Sequence, residues 1–208
     1  THGFFKALLF LGAGSVIHAL HHEQNLFKMG GMRSVLPITY GLMWIGSLAL
    51  VGVPPFAGFY SKDFILEASF MSGTDTGMAL YMMGTLAAFM TAFYSFRVLF
   101  LAFHGGFNGD EDTYNHAHES PMLMTLPMAV LAVGAVAAGV LGTPMTNTEW
   151  WNDSIVIFES IHPAVVEAHH IPLLFKWLPL LVAALGFGLA WLMYIKRKAL
   201  AEKLAQTF

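Results

Sequence analysis

The fold of this chain is decided by one stretch in its first third, Val51-Gly-Val-Pro-Pro-Phe-Ala-Gly-Phe-Tyr-Ser-Lys-Asp-Phe-Ile-Leu-Glu67. Pro54-Pro55 removes two backbone donors and disfavours helix in the residues before it, so an apolar helix ends there. A second helix-like run follows and carries Lys62 and Asp63 in its first turns. A broken apolar helix leaves amides and carbonyls that lipid cannot satisfy. We therefore expect the break to be covered by protein or water, with Lys62 and Asp63 on an ion or proton route.

The composition is that of a membrane protein. Of the 208 residues, 56% are hydrophobic and 11% are charged, whereas soluble domains carry roughly 25% charged residues. The chain has no cysteine, which excludes disulfide, thiolate-metal, iron–sulfur and cysteine-nucleophile chemistry. Its net charge of −3 argues against a nucleic-acid partner. The opening Thr1-His-Gly-Phe-Phe-Lys6 resembles the interior of a helix more than a signal peptide, so we expect a fragment of a longer protein.

Apolar segments long enough to cross, or nearly cross, a membrane core of about 30 Å recur along the chain. They are His2–Leu20, Val35–Val53 with Phe56–Met71, Met78–Phe103, Met122–Leu141 and Leu173–Ile195. The predicted fold class is all-α, with polytopic transmembrane helices and one discontinuous helix broken at Pro54-Pro55. We expect residues 1–208 to form a single transmembrane fragment with crossings at about 2–20, 35–71 (broken), 78–103, 122–141 and 173–195.

Pro54 and Pro55 could instead form a hairpin between two crossings, and the loop charges bear on this choice. If the break lies within one crossing, six basic residues fall on one side of the membrane and Lys176 on the other. The six are Lys28, Arg33, Lys196, Arg197, Lys198 and Lys203. The positive-inside tendency makes the rich side cytoplasmic, whereas a hairpin would split the basic residues between the sides. One broken crossing is therefore favoured, with 105–120 and 196–208 in the cytoplasm and 143–171 outside.

Lys62 with Asp63 is the main candidate site. The alternative for Lys62 is a lysine near the outer surface that snorkels to water. Gly58, Phe59, Ile65 and Leu66 lie around it on the predicted helix and favour an apolar or protein-buried setting, in which a lysine can exchange protons. Asp63 and Glu67 are four residues apart and share a helix face. They are either a second relay pair or a hydrated helix end.

Lys6 with His2 is the second candidate pair for proton transfer. The two residues are four apart on one helix face, and histidine titrates near neutral pH. Here too the alternative is a snorkelling lysine. Glu67 and His18 are secondary candidates.

Other kinds of chemistry have weak support. His116-Ala-His-Glu119 and His169-His170 lack the spacing of a zinc site, so we predict no metal. The chain also lacks a P-loop, a G-x-G-x-x-G and a G-x-S-x-G motif, which argues against nucleotide binding and hydrolysis. We predict no cofactor in this chain.

Several stretches together resemble a known family. They are His2-Gly-Phe-Phe-Lys-Ala-Leu-Leu-Phe-Leu-Gly-Ala-Gly-Ser-Val-Ile-His18, the following His-His-Glu-Gln-Asn-Leu-Phe-Lys-Met-Gly-Gly-Met32, Pro55-Phe-Ala-Gly-Phe-Tyr-Ser-Lys-Asp-Phe-Ile-Leu66 and Phe93-Tyr-Ser-Phe-Arg-Val-Leu-Phe-Leu-Ala-Phe-His-Gly105. They are similar to subunit L of bacterial NADH–quinone oxidoreductase and its counterpart, mitochondrial NADH dehydrogenase subunit 5. The first 105 residues carry the most specific part of the likeness.

The resemblance implies an antiporter-like, proton-pumping membrane subunit of respiratory complex I. Lys6 and His2 then match residues of the central proton axis, Lys62 matches the lysine of the broken helix in the second inverted repeat, and Asp63 its acidic neighbour. It also implies partners among the other membrane subunits, especially antiporter-like paralogues, and a multi-pass location in the bacterial inner membrane. Redox chemistry in the family belongs to other subunits.

We expect the family's first half, with its own broken helix, and its long lateral helix to lie in parts of a longer protein outside these 208 residues. Two rival functions stand beside this one: a subunit of a multisubunit cation/proton antiporter, and a fragment that has only a packing role.

Overall fold

The computed structural model describes residues 1–146, 148–154, 164 and 168–207, and within them the regular secondary structure is helical. The α-helices are α1 His2–Ala19, α2 Pro37–Val51, α3 Ala57–Met71, α4 Asp75–Phe103, α5 Glu111–His116, α6 Met122–Gly142, α7 Leu173–Trp191 and α8 Lys198–Thr207. A π turn, Leu192–Lys196, joins α7 to α8. Part of the expected outer connection (147, 155–163 and 165–167) lies outside the described residues.

The helices form a bundle with two distinct ends. At one end, which we call the basic end, the loop after α1 meets the last residues of α4: the amide of Arg33 donates to the carbonyl of Phe103 over 3.2 Å. The end of α7 lies at the same end, since Arg97 Nε donates to the hydroxyl of Tyr194 over 3.0 Å. At the opposite end, the far end, the hydroxyl of Tyr81 near the start of α4 donates to the carbonyl of Phe175 near the start of α7 over 2.6 Å.

The helix α2 lies at the centre of the bundle and packs on both of its sides. One core cluster joins α1, α2, α4 and α7 around Val16, Met43, Phe96 and Ala183. The other joins Phe5 and Leu8 of α1 to α2 and α6. Large apolar side chains are exposed on the outer faces of α4, α6 and α7, as in helices that face lipid; they include Met83, Leu86, Val130, Val133, Leu181 and Leu185.

The break predicted from the proline pair is present. α2 ends at Val51, Gly52 has a left-handed backbone with φ 81°, and α3 begins at Ala57. The peptide bond between Pro54 and Pro55 is cis. The fold class is thus all-α with one discontinuous helix, as the sequence predicts.

Helix length fits a multi-pass membrane protein. Among the described residues, four helical segments are long and apolar enough to cross a bilayer: His2–Ala19, Asp75–Phe103, Met122–Met145 and Leu173–Lys196. The apolar α2 is shorter. It begins at the basic end, whereas α3 ends at the far end, where the Phe70 ring lies 4.4 Å from that of Phe175.

Candidate functional site

The break places a lysine against the carboxyl end of α2. Lys62 Nζ donates to the carbonyl of Val51 over 2.6 Å. The last carbonyls of a helix have no partner within the helix and form the negative end of its dipole, which favours a cation. Glycine is required at position 52, because its φ is positive and a side chain there would meet the Lys62 ammonium. The proline pair ends α2 and leaves the Val51 carbonyl without a partner inside the helix, and α3 supplies Lys62 as the cation that binds it.

Asp63 is deeply buried beside this lysine. Its Oδ1 atom lies 3.7 Å from Lys62 Nζ, and the two side chains are 8% and 25% exposed respectively. Within the described residues, Asp63 Oδ1 is buried and accepts no hydrogen bond. A buried carboxylate oxygen in that state is costly, which is typical of a functional position.

A central cavity of about 600 Å³ brings together three predicted site residues that come from two helices. His2 and Lys6 of α1 and Lys62 of α3 all line it. Between them lie apolar residues and a few hydroxyl groups, namely Phe5, Leu50, Ile65, Leu66, Ala87, Ala88, Ser61, Thr91 and Tyr94. Lys6 is exposed in this chain, and its ammonium lies 5.6 Å from the centre of the Phe10 ring.

Asp63 and Glu67 both line a second cavity, of about 290 Å³, together with Lys176 of α7. Both carboxylates are buried and line this cavity, and the choice between a second relay pair and a hydrated helix end stays a prediction. The partner of Glu67 comes from α7: its Oε1 lies 3.9 Å from Lys176 Nζ. The sequence did not indicate this pair, because helix spacing defines faces and not neighbouring helices.

A third buried polar group lies at the basic end of α2. Glu119 accepts hydrogen bonds from the amides of Ile38 (2.7 Å) and Thr39 (3.2 Å) and from the Thr39 hydroxyl (2.6 Å). The Thr39 hydroxyl is also 2.8 Å from that of Ser15, which is 2.7 Å from that of Ser120. We call Glu119, Thr39, Ser15 and Ser120 the polar clasp. Glu119 thus caps α2.

The remaining sequence candidates lie apart from these cavities. His18 is exposed in the last turn of α1, about 18 Å along the helix from Lys6, and does not line the central cavity. Groups of three or more histidine and carboxylate side chains able to hold a metal ion do not occur among the described residues. Ser61 and Thr1, whose hydroxyls are 2.7 Å apart, line both cavities and were missed by the sequence reasoning.

Comparison with known proteins finds similar sequences over most of this chain. Residues 1–91 match a family model described as "NADH:quinone oxidoreductase/Mrp antiporter, TM". Over 96% of its length the chain is 43% identical to "NADH-ubiquinone oxidoreductase chain 5" of Phytophthora infestans, covering 31% of that protein. Over 93% of its length it is 44% identical to "NADH-quinone oxidoreductase subunit L" of Rickettsia bellii, covering 30% of that protein. A subunit L of Rhodobacter capsulatus is 51% identical over 68% of the chain and 21% of its own length. The chain spans about a third of the length of the first two relatives.

Proposed function

We propose a function for this chain from its family: it is a homologue of NADH-quinone oxidoreductase subunit L and NADH-ubiquinone oxidoreductase chain 5. It forms part of a proton-translocating membrane subunit of that enzyme, and protons move through it by way of Lys6, His2, Lys62 and Asp63. Electron transfer from NADH to quinone takes place in other subunits. The partners are the neighbouring membrane subunits, antiporter-like paralogues among them.

One observation carries the proposal: His2, Lys6 and Lys62 line a single cavity. They come from α1 and α3, which precede and follow α2 in the chain. A cavity lined by ionisable groups inside a membrane bundle is typical of an ion or proton route. Lys62 also lies beside the helix break, where freed backbone carbonyls lower the cost of a buried cation. Asp63, with an unbonded oxygen next to Lys62, is placed to accept a proton from it.

The α2–α3 pair acts as the broken crossing of a five-crossing fragment, with the basic end in the cytoplasm. The helix directions support this, because α2 begins at the basic end and Phe70 near the end of α3 packs at the far end. The distribution of basic residues supports the cytoplasmic assignment. We expect cysteines placed at Asn115 and Asn152 of the full-length protein to be labelled from opposite sides. Labelling of both from the same side would contradict the topology.

Lys62 is the position at which the function is tested. In the full-length protein within its complex, we expect Lys62→Ala to lower proton pumping on the order of tenfold or more while assembly is retained. Lys62→Arg keeps the positive charge but cannot release a proton at working pH, so we expect it to pump nearly as poorly. Pumping is measured in membrane vesicles, and complex content on a native gel.

Lys28→Ala is the matched control, since Lys28 also pairs with a carboxylate (Glu23, at 3.0 Å) but is 59% exposed and lies outside the central cavity. It should pump normally. Normal pumping by Lys62→Arg would mean that Lys62 holds a charge in place and relays no proton. The family model also names Mrp antiporters; sodium/proton exchange by the full-length protein without NADH oxidation would favour that function instead.

A further inference from the structure

The second cavity adjoins the central one. Thr1 and Ser61 line both cavities, and their hydroxyls are hydrogen-bonded over 2.7 Å. Lys62 faces the central cavity and its sequence neighbour Asp63 the second one. The two cavities are therefore adjacent at Thr1 and Ser61, which line both, and at the sequence neighbours Lys62 and Asp63, which line one each. We call the second one the exit cavity.

Charges of opposite sign alternate along this path. Lys62 lies 3.7 Å from Asp63, Glu67 follows one helical turn after Asp63 on the same face, and Lys176 lies 3.9 Å from Glu67. The two carboxylates are 6% and 7% exposed, whereas the Lys176 side chain is 36% exposed. Glu67 is thus the inner member of its ion pair, and Lys176 is the member that reaches solvent.

The far end of α7 is fixed against α3 and α4 next to this ion pair. The carbonyl of Phe175 accepts a hydrogen bond from the Tyr81 hydroxyl, and the Phe175 ring packs on that of Phe70 at 4.4 Å. Lys176 directly follows Phe175. Its backbone is held by these contacts, so that opening of the pair requires movement of its side chain alone.

The Asp63 carboxylate lies in the wall of the exit cavity. Asp63 is more than nine-tenths buried, lines the cavity, and has an oxygen that accepts no hydrogen bond from the described residues. A volume of about 290 Å³ exceeds the roughly 30 Å³ that one water occupies. Water can therefore connect Asp63 to Glu67.

We propose that the Glu67–Lys176 ion pair is the gate through which a proton leaves Asp63 for the far side of the membrane. This rests on the proposed function and extends it to a residue of α7. The Lys62 ammonium transfers a proton to the Asp63 carboxylate, leaving a neutral amine and a carboxylic acid. The acid passes that proton to Glu67 through water in the exit cavity, and Asp63 is again a carboxylate.

Protonation of Glu67 then opens the gate. A neutral Glu67 no longer attracts Lys176, whose ammonium moves into solvent. Glu67 releases its proton to water at the far end, and the ion pair forms again. A proton that returns from the far side meets the Lys176 ammonium first and is repelled, so the closed gate limits backflow.

The gate is tested in the full-length protein within its complex. We expect Glu67→Gln, which keeps size but cannot carry a proton, to lower pumping about tenfold with unchanged complex content. We expect Lys176→Gln and Lys176→Met to raise the passive proton leak of vesicles several-fold when electron transfer is inhibited. Lys176→Arg should lower that leak again relative to Lys176→Gln. Using two uncharged replacements keeps the test valid if one of them fails to assemble.

A purely structural role for Lys176 would change complex content without changing the leak per assembled complex, and that result would overturn the proposal. Normal pumping by Glu67→Gln would overturn it as well. The Lys62 variants separate this failure from failure of the proposed function. If Lys62→Arg loses pumping while the Glu67 and Lys176 variants behave as wild type, the gate alone is wrong. If Lys62→Arg pumps normally, the proposed function itself is wrong.

Discussion

Two carboxylates, the half-buried Glu119 and the buried Asp63, lie near opposite ends of α2, and their surroundings differ. Glu119, at the amino end, accepts hydrogen bonds from two backbone amides and a hydroxyl of the polar clasp. Asp63, near the carboxyl end, has one oxygen without a hydrogen bond from the described residues and a lysine at 3.7 Å. Glu119 caps the positive end of the α2 dipole, and Lys62, the sequence neighbour of Asp63, caps the negative end.

The comparison contrasts a carboxylate that caps a helix with one that lines a cavity. A carboxylate held by several donors stabilises the fold through its hydrogen bonds. A carboxylate with an unused acceptor beside a cavity costs stability and retains the capacity to take a proton. Asp63 is the more buried of the two, and its Oδ1 lacks the hydrogen bonds that Glu119 receives.

The largest expected effect is on assembly, at the amino end of α2. We expect Glu119→Ala to destabilise the subunit by about 1–3 kcal/mol, because the amides of Ile38 and Thr39 and the Thr39 hydroxyl lose their acceptor. Glu119→Gln keeps one acceptor and should fall between Ala and wild type. Thermal unfolding of the purified complex and its content on a native gel give the measurement. Normal assembly of Glu119→Ala with lost pumping would place Glu119 among the functional groups and remove the contrast.

The second effect is on pumping, at the other end. We expect Asp63→Asn to retain assembly, because the amide replaces a poorly bonded carboxylate of the same shape. Pumping should fall about tenfold, the equivalent of about 1.4 kcal/mol in the barrier. Vesicle acidification per NADH oxidised gives the readout. Destabilisation comparable to that of Glu119→Ala would show that Asp63 is a structural anion.

A smaller effect is expected within the polar clasp. Ser15→Ala removes a hydroxyl that bonds both Thr39 and Ser120, at a cost of about 1 kcal/mol. Ser34→Ala is the control, since its hydroxyl is exposed and makes a 3.3 Å bond to the Gly31 carbonyl. Thermal unfolding of both variants should separate them. Equal stability of the two would show that the hydroxyl chain contributes little beyond Glu119.

The smallest expected effect depends on pH. Burial, with a contribution from Arg33, lowers the pKa of His104 below its ordinary value of 6.5, and Tyr40 lies 3.0 Å from its ring nitrogen. The unfolded chain therefore binds a proton more readily than the folded one. The contribution of His104 to the free energy of unfolding is fully present above its ordinary pKa of 6.5. It is lost as the pH falls from there through the pKa of His104 in the folded protein.

His104→Gln should flatten that loss. Thermal unfolding at pH 7.5 and pH 5.5 measures it, and His104→Gln should lose less between the two values than wild type does. An equal loss in both proteins would mean that other groups dominate the acid response of the basic end.

Much of the fold follows from local sequence signals. Pro54 and Pro55 predict the break because they remove donors, and apolar runs predict the long helices. The placement of Lys6 and His2 on one helix face follows from their spacing, and the structure adds that Lys62 lines the same cavity. Glu119, in contrast, caps a helix some 80 residues earlier in the chain, and Lys176 pairs across helices that are distant in sequence. Such contacts depend on which helices become neighbours, and the periodicity of one helix carries no information on this.

The π turn at Leu192–Lys196 has a consequence for comparing related chains. Its hydrogen bond, from the amide of Arg197 to the carbonyl of Leu192, encloses one more residue than an α-helical turn. Each residue of an α-helix turns the chain by about 100°. A relative with a one-residue deletion in this turn would have every later side chain rotated by that angle, while the chain would still bend at Arg197, whose backbone is not helical (φ −133°, ψ 64°). An alignment gap of one position would then mark a change in the surface that α8 presents, even where the α8 sequences are identical.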